Sequence, residues 1–270
     1  MAKVWFITGS SRGFGRHWAE AALERGDKVA ATARNPETLG ELVAKYGDRV
    51  LALELDVTDR AADFAAVERA HEHFGRLDIV VNNAGYGLFG TIEEVTEAQA
   101  RAQIETNVFG ALWVTQAALP FLRAQRSGHI IQVSSIGGIV AFPGIGLYHA
   151  SKWALEGFSE ALAAEVAPFG IHVTIIEPGG FDTDWSGSSA VRAEEMDAYA
   201  DLHEQRRKNG ALPRGSTEAT RRAILEIVDA DPPPLRAFFG ELPIKLAKER
   251  YEQRLANWER WNELAIAAGG

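Results

Sequence analysis

The chain has no cysteine in 270 residues, which excludes disulfide staples and thiolate metal sites. Positive charge is scarce. Against 37 acidic residues stand 28 lysines and arginines, and the net charge of −9 makes nucleic acid and anionic membranes poor partners. Long hydrophobic runs are missing as well. The opening apolar stretch breaks at Gly9-Ser10, too short for a signal-peptide core, and no window reaches the length of a membrane span. No Pro/Ser/Gly-rich linker, internal repeat or low-complexity tract divides the sequence. We read a soluble, cytoplasmic protein in which 46% hydrophobic residues suffice for one large α/β domain over residues 1–270.

Apolar strands alternate with longer helical stretches. Strands are expected at Val4–Thr8, Lys28–Thr32, Val50–Glu54, Asp78–Val81, His129–Ser134 and His172–Glu177, with a last one at Leu235–Phe239. Helices are expected at Gly13–Arg25, Pro36–Tyr46, Ala61–Phe74, Tyr148–Ala167 and Thr217–Val228, and over Ala98–Arg123 with a break near Gly110. This rhythm implies a doubly wound parallel sheet of about seven strands with helices on both faces. After Pro178 the periodicity weakens, and residues 181–215 read as a substrate lid. A helical extension follows at 242–268, where Trp258 and Trp261 are expected to anchor in the core.

Thr8-Gly9-Ser10-Ser11-Arg12-Gly13-Phe14-Gly15 lies between the first strand and the first helix. Glycines there let the backbone approach a phosphate, and a helix N-terminus offers free N–H groups. One strand later, Ala31-Thr32-Ala33-Arg34 has no carboxylate to accept from a ribose hydroxyl. Arg34 and Arg12 instead suit a 2′-phosphate, which favours NADP(H); the plain alternative is two solvated surface arginines. Asp56-Val57 follows the third strand and either borders the adenine or forms a turn.

Tyr148 and Lys152 are four residues apart, on one face of a helix. An ammonium beside a phenol lowers its pKa and suits it to acid–base work. Ser135 lies thirteen residues upstream, and Asn82-Asn83-Ala84-Gly85 follows the fourth strand.

Taken in order with Asn107 and Pro178-Gly179, these residues resemble the short-chain dehydrogenase/reductase family over about residues 3–185. The resemblance implies a single Rossmann-type domain and hydride transfer between nicotinamide and a carbonyl/alcohol pair. It implies that Tyr148 is the acid or base, that Lys152 tunes it and grips the nicotinamide ribose, and that Ser135 bonds the substrate oxygen. Asn107 matches the residue that holds a relay water. Asn83, Ala84 and Gly85 are implied beside the dinucleotide, and Pro178, Gly179, Phe181 and Thr183 at its carboxamide. Phe14 departs from the family's usual isoleucine. His149, next to the tyrosine, points elsewhere on the helix and reads as a surface or packing residue.

Three loops are expected to border the reacting carbon and to supply Tyr86, Leu88, Phe142 and Trp185, with no lysine or arginine of their own. Bulky apolar ketones and alcohols then suit the site better than small keto acids. No metal site is expected, since the histidines lack the spacing of a ligand set. The helices near 98–123 and 148–167 are candidates for a homodimer or homotetramer interface, or simply pack on the sheet. Three rival readings stand beside the reductase. They are an alcohol dehydrogenase for a steroid- or retinoid-like hydroxyl, a non-catalytic cofactor-binding regulator, and a nucleotide-sugar epimerase or dehydratase.

Overall fold

Val4–Ile7, four buried apolar residues, form β1 at the centre of the molecule. The structure is a computed structural model and describes residues 2–187, 189–209 and 214–269. In β1, Trp5 and Ile7 point into one hydrophobic layer while Val4 and Phe6 point into the other, as the period of two requires. The strand pairs in parallel with β2 (Lys28–Ala33) on one side and β4 (Ile79–Asn82) on the other. β3 (Val50–Glu54) adds beyond β2. On the far side follow β6 (Gly128–Val133), β7 (Ile171–Pro178) and β9 (Arg236–Phe239). The order β3-β2-β1-β4-β6-β7-β9 reverses its winding between β1 and β4, and an open sheet binds ligands at that crevice. A separate two-residue pairing joins β5 (Leu88–Phe89) to β8 (Val191–Arg192).

Helices α1 (Gly13–Glu24), α2 (Gly40–Tyr46) and α8 (Thr220–Asp229) cover one face, where Trp18, Leu42 and Ile224 meet the sheet. Helices α3 (Arg60–Phe74), α5 (Ala111–Gln125) and α6 (Gly146–Val166) cover the other, with Val67, Val114 and Leu162 inside. The ends follow from local chemistry. The Asp59 carboxylate accepts from Ala61 and Ala62 N–H to start α3, and Gly75 at φ 78° stops it. α4 (Glu97–Ile104) opens with a reciprocal capping box between Thr96 and Gln99. The break expected near Gly110 is a π-helical turn over Glu105–Gly110, a feature that recurs at functional positions.

The expected strands and helices are all present, with ends shifted by a few residues. The segment read as irregular after Pro178 holds β8 and α7 (Ala200–Asn209), while residues 188 and 210–213 lie outside the described part. It is tied down by Glu94, whose buried carboxylate accepts from Thr91 N–H, Met196 N–H and His203 Nε2 at 2.7–2.8 Å. The terminal helices α9 (Glu241–Arg260) and α10 (Asn262–Ala268) overturn one expectation: Trp258 and Trp261 are not core anchors but are 57% and 55% exposed. Of α9 only Pro243 and Ala247 are buried, because the helix runs off the sheet edge and leaves its later turns nothing to pack on.

Trp18 does the anchoring instead. It is fully buried against Phe14 and Phe239, and its Nε1 donates to Thr220 Oγ1 at 2.8 Å. Trp18→Ala should cost about 3–5 kcal/mol, read as a lowered urea midpoint, whereas Trp261→Ala should leave the midpoint within about 0.5 kcal/mol of the parent.

Candidate active site

Where the winding reverses, Thr8 ties the ends of β1 and β4 together. Its hydroxyl accepts from Asn83 N–H and Ala84 N–H, both at 2.9 Å. Asn83 Nδ2 donates back to Thr8 O at 2.9 Å and Gly9 O at 3.0 Å. Asn82 turns the other way, toward Thr115 Oγ1 at 2.9 Å, which fastens β4 to α5. The sheet edge is therefore rigid where the chain leaves it.

Gly9, at φ 66°, starts the turn into α1. The first turn of α1 has no side-chain cap, so its N–H groups face the crevice unclaimed by the helix itself. Gly15 lets the helix settle onto the strand end: a Cβ there would lie 2.5 Å from Gly9 O and 2.6 Å from Asn83 Nδ2. The turn opens into a cavity of about 630 Å³ lined by Gly9, Ser11, Arg12, Gly13 and Phe14. Arg34, Asp56, Val57, Asn83, Ala84 and Gly85 line it too, and so do Pro178, Gly179, Phe181 and Thr183. Gly15 stays behind the wall.

The two arginines differ in setting. Arg34 is exposed at the rim. Arg12 is engaged: Nη1 lies 2.8 Å from Asp184 Oδ2 and Nη2 donates to Ser189 Oγ at 2.7 Å. Asp56 forms the turn expected as one of its readings, accepting from Thr58 N–H and Oγ1 at 3.0 and 2.8 Å, while still bordering the cavity.

At the other end Ser135, Tyr148 and Lys152 line the same cavity. Tyr148 and Lys152 share one face of α6, with the lysine Nζ 5.8 Å from the phenol ring centroid. Lys152 Nζ donates to Val133 O at 2.8 Å. Asn107 sits in the π-helical turn, one layer behind. Its Oδ1 accepts from Tyr86 N–H, and its Nδ2 donates to Tyr86 O and Ser151 Oγ, each at 3.1 Å. Through Gly85 it lies close to Lys152: a Cβ on Gly85 would fall 3.0 Å from Asn107 Oδ1 and 3.8 Å from Lys152 Nζ.

The tyrosine corrects a sequence expectation. Burial pushes the Tyr148 phenol up to about 12, and its hydrogen bond with Ser135 offsets this only in part. Burial pulls Lys152 down to about 8, with Glu156 opposing the shift. Desolvation is the largest influence on both groups.

Two proposed substrate contacts are also corrected. Leu88 is buried in β5 and Phe142 packs beside Ile139 and against the His149 ring, so neither lines the cavity. A period-two strand and a loop turned inward are invisible to a reading that treats each loop as exposed. Tyr86 and Trp185 do line it, and the Trp185 ring lies 4.8 Å from that of Tyr148. His149 is a buried packing residue bonded to Gly137 O at 3.0 Å. Residues missed by sequence include Ala102, Val191 and Arg214, which come from segments without any local motif, and Thr106, the neighbour of Asn107.

The family described as short chain dehydrogenase matches residues 3–193. The chain belongs to the short-chain dehydrogenase/reductase family. It is 44% identical to Oxidoreductase BOA17 of Botryotinia fuckeliana, over 99% of this chain and all of that one. It is 38% identical to a 3-ketodihydrosphingosine reductase of Bacteroides thetaiotaomicron, over 89% and 88% of the two. A short-chain dehydrogenase from Streptomyces avermitilis superimposes with a TM-score of 0.93 at 40% identity, covering 99% of this chain and 98% of that one. One from Burkholderia cenocepacia, solved in complex with NADP, gives 0.78 at 29% identity over 96% and 97%. This short-chain dehydrogenase/reductase is therefore an oxidoreductase that uses a nicotinamide cofactor, and its uncapped helix start and glycine-walled turn fit a dinucleotide pyrophosphate.

Gly15→Ala in this dehydrogenase should weaken dinucleotide binding at least about ten-fold, since the backbone must shift to admit the methyl. Gly157→Ala is the control, because an added Cβ there has nothing within 4 Å. Fluorescence titration of both variants with the reduced dinucleotide checks this; equal affinities would remove the close packing from the argument.

Proposed function

We propose that the protein is an NADP(H)-dependent carbonyl reductase that interconverts a ketone and an alcohol on a largely apolar substrate. The observation that carries this reading is the common cavity shared by Ser135, Tyr148, Lys152 and the glycine turn. The reductase named among the relatives supports the carbonyl-reducing direction, and the NADP in the Burkholderia structure supports the cofactor.

When bound, the nicotinamide supplies hydride to the carbonyl carbon or accepts it from the alcohol. The chain's own residues handle the oxygen and its proton. Ser135 donates to the substrate oxygen and steadies its developing charge. Tyr148 gives its phenolic proton to that oxygen in reduction and takes it back in oxidation. A phenol raised to about 12 in the free protein holds its proton until substrate arrives. Lys152, brought near the phenol by one helical turn, favours the phenolate that proton transfer leaves behind. Asn107 fixes the backbone of Tyr86 behind Lys152 and is the residue for a relay water. Gly9, Ser11, Gly13 and the first turn of α1 hold the pyrophosphate, Arg34 the 2′-phosphate, and Pro178–Thr183 the carboxamide end. Tyr86, Phe181 and Trp185 wrap an apolar substrate body, and the described residues of the expected lid, 181–187 and 189–209, close over it to exclude water. Exposed Phe109 and Trp153 support assembly into a homodimer or homotetramer through the neighbouring helices.

Tyr148→Phe tests the chemistry. With bulky aromatic or alicyclic ketones and reduced dinucleotide, its turnover should fall roughly 10²- to 10⁴-fold while cofactor affinity stays nearly the same. Near-normal turnover in that variant would refute the assignment. The cofactor choice has a separate test. The parent should bind NADPH at least about ten-fold more tightly than NADH, and Ala33→Asp with Arg34→Ala should erase that margin, because a carboxylate repels the 2′-phosphate and accepts from a free hydroxyl. Equal affinities in the unmodified protein would sink the NADP reading.

A further inference from the structure

One helical turn beyond Lys152, on the same face of α6, lies Glu156. Its side chain is 7% exposed, yet it is not alone: Arg236 of β9 bridges it to Glu177 of β7. Glu177 is fully buried, with Oε1 2.7 Å from Arg236 Nη1. A third carboxylate, the solvent-facing Glu160, takes the other arm of the guanidinium at 2.8 Å. Two buried carboxylates therefore share one cation. Among the described residues, one oxygen of each, Glu156 Oε1 and Glu177 Oε2, has no hydrogen-bond partner, nor has the buried Ser134 Oγ. A Cβ on Gly138 would lie 2.7 Å from both Glu156 Oε1 and Ser134 Oγ, so this cluster reaches the strand end beside Ser135. Glu177 immediately precedes Pro178 and Gly179 of the cavity wall.

Nothing in the proton transfer described above uses these groups. Resting on the proposed role of Lys152, we infer that Glu156 and Glu177, held by Arg236, are positioning residues that set the charge of the Lys152 amine and through it the readiness of Tyr148 to exchange a proton. Burial and the neighbouring Glu156 push the Glu177 carboxyl up to about 7, with Arg236 opposing. The sign follows. Above that pH, Glu177 is ionised, and the negative charge it adds beside Arg236 favours the Lys152 ammonium. Below it, Glu177 is neutral and that support is withdrawn, while Lys152 is protonated by the medium in any case. Glu156 counteracts the desolvation that pulls Lys152 down to about 8, and Glu177, held across the shared guanidinium, adds to that effect. The charged groups facing it are Glu156, Glu160 and Lys152 from α6 and Arg236 from β9; the loop after β6 contributes the neutral Ser134.

The test is a titration of Lys152 itself in the whole protein, labelled at lysine Cε and followed by carbon NMR, with the signal assigned by its loss in Lys152→Arg. In the parent the Lys152 curve should show an inflection near neutral pH from Glu177 as well as its own step. Glu177→Gln should abolish the inflection and lower the proton affinity of Lys152 at least about three-fold. Glu156→Gln should lower it by a similar factor, and it carries the test alone if the Glu177 variant misfolds. Glu160→Gln, at the solvent edge, should do neither. In turnover on a ketone, the alkaline fall of kcat/KM should move to lower pH in both buried variants, whereas a merely structural role lowers activity in parallel at every pH. An unchanged Lys152 curve in a folded Glu156→Gln protein would overturn the inference even with activity intact. A shifted curve in a protein that reduces no ketone would instead count against the proposed function and leave the coupling standing.

Discussion

The bond network at Thr8 governs where everything else can stand. A side chain of only two heavy atoms beyond Cβ accepts two backbone N–H groups from the end of β4, while Asn83 returns two bonds to the end of β1. Without them the crevice at the winding reversal would open, because strand pairing between β1 and β4 stops at Ile7 and Val81. Four hydrogen bonds of about 1 kcal/mol each are a large share of the stability of a marginal fold. They also fix the distance between the glycine turn and Gly85, and Gly85 is the residue through which Asn107 and Lys152 approach one another. Phosphate cradle and reacting groups are thus two sides of one joint.

At the reacting end, burial is the dominant force and charge the corrective one. Tyr148 and Lys152 are driven in opposite senses, toward neutral phenol and neutral amine, by the same desolvation. A neutral phenol still has a proton to give, but a neutral amine cannot steady the phenolate left behind. Something must restore charge, and the residues on hand are the hydrogen bond from Ser135 and the carboxylate of Glu156, which act on different members of the pair. The arrangement separates the proposed proton donor from the charge source, so that each is adjusted without moving the other.

How much of this was legible in the sequence follows the range of the interaction involved. The turn Gly9–Gly15 and the pair Tyr148–Lys152 are local patterns, set by backbone sterics and helical spacing, and both stand where the sequence puts them. Val50–Glu54 is bounded as expected because Gly47 and the start of the next segment punctuate it. Leu88 and Phe142 fail for the opposite reason: which side of a loop faces a cavity depends on strand pairing with β8 and on packing against α6, neither visible locally. Trp258 and Trp261 fail because a helix periodic in apolar residues reads the same whether or not a surface exists to receive it. The phenol's pKa fails because spacing reveals the ammonium but not the depth at which both are held.

Arg12 joins the two halves of the site in a way that sequence spacing hides. The residue sits in the phosphate turn, yet its guanidinium closes on Asp184 and Ser189 in the segment that carries Trp185, and Trp185 lies over Tyr148. Asp184 in turn accepts from Ser189 at 2.6 Å, so the carboxylate holds arginine and serine together. An ion pair this exposed contributes on the order of 1 kcal/mol or less, too little to lock the segment and enough to bias it. The phosphate turn and the aromatic wall over the phenol are therefore joined through one guanidinium.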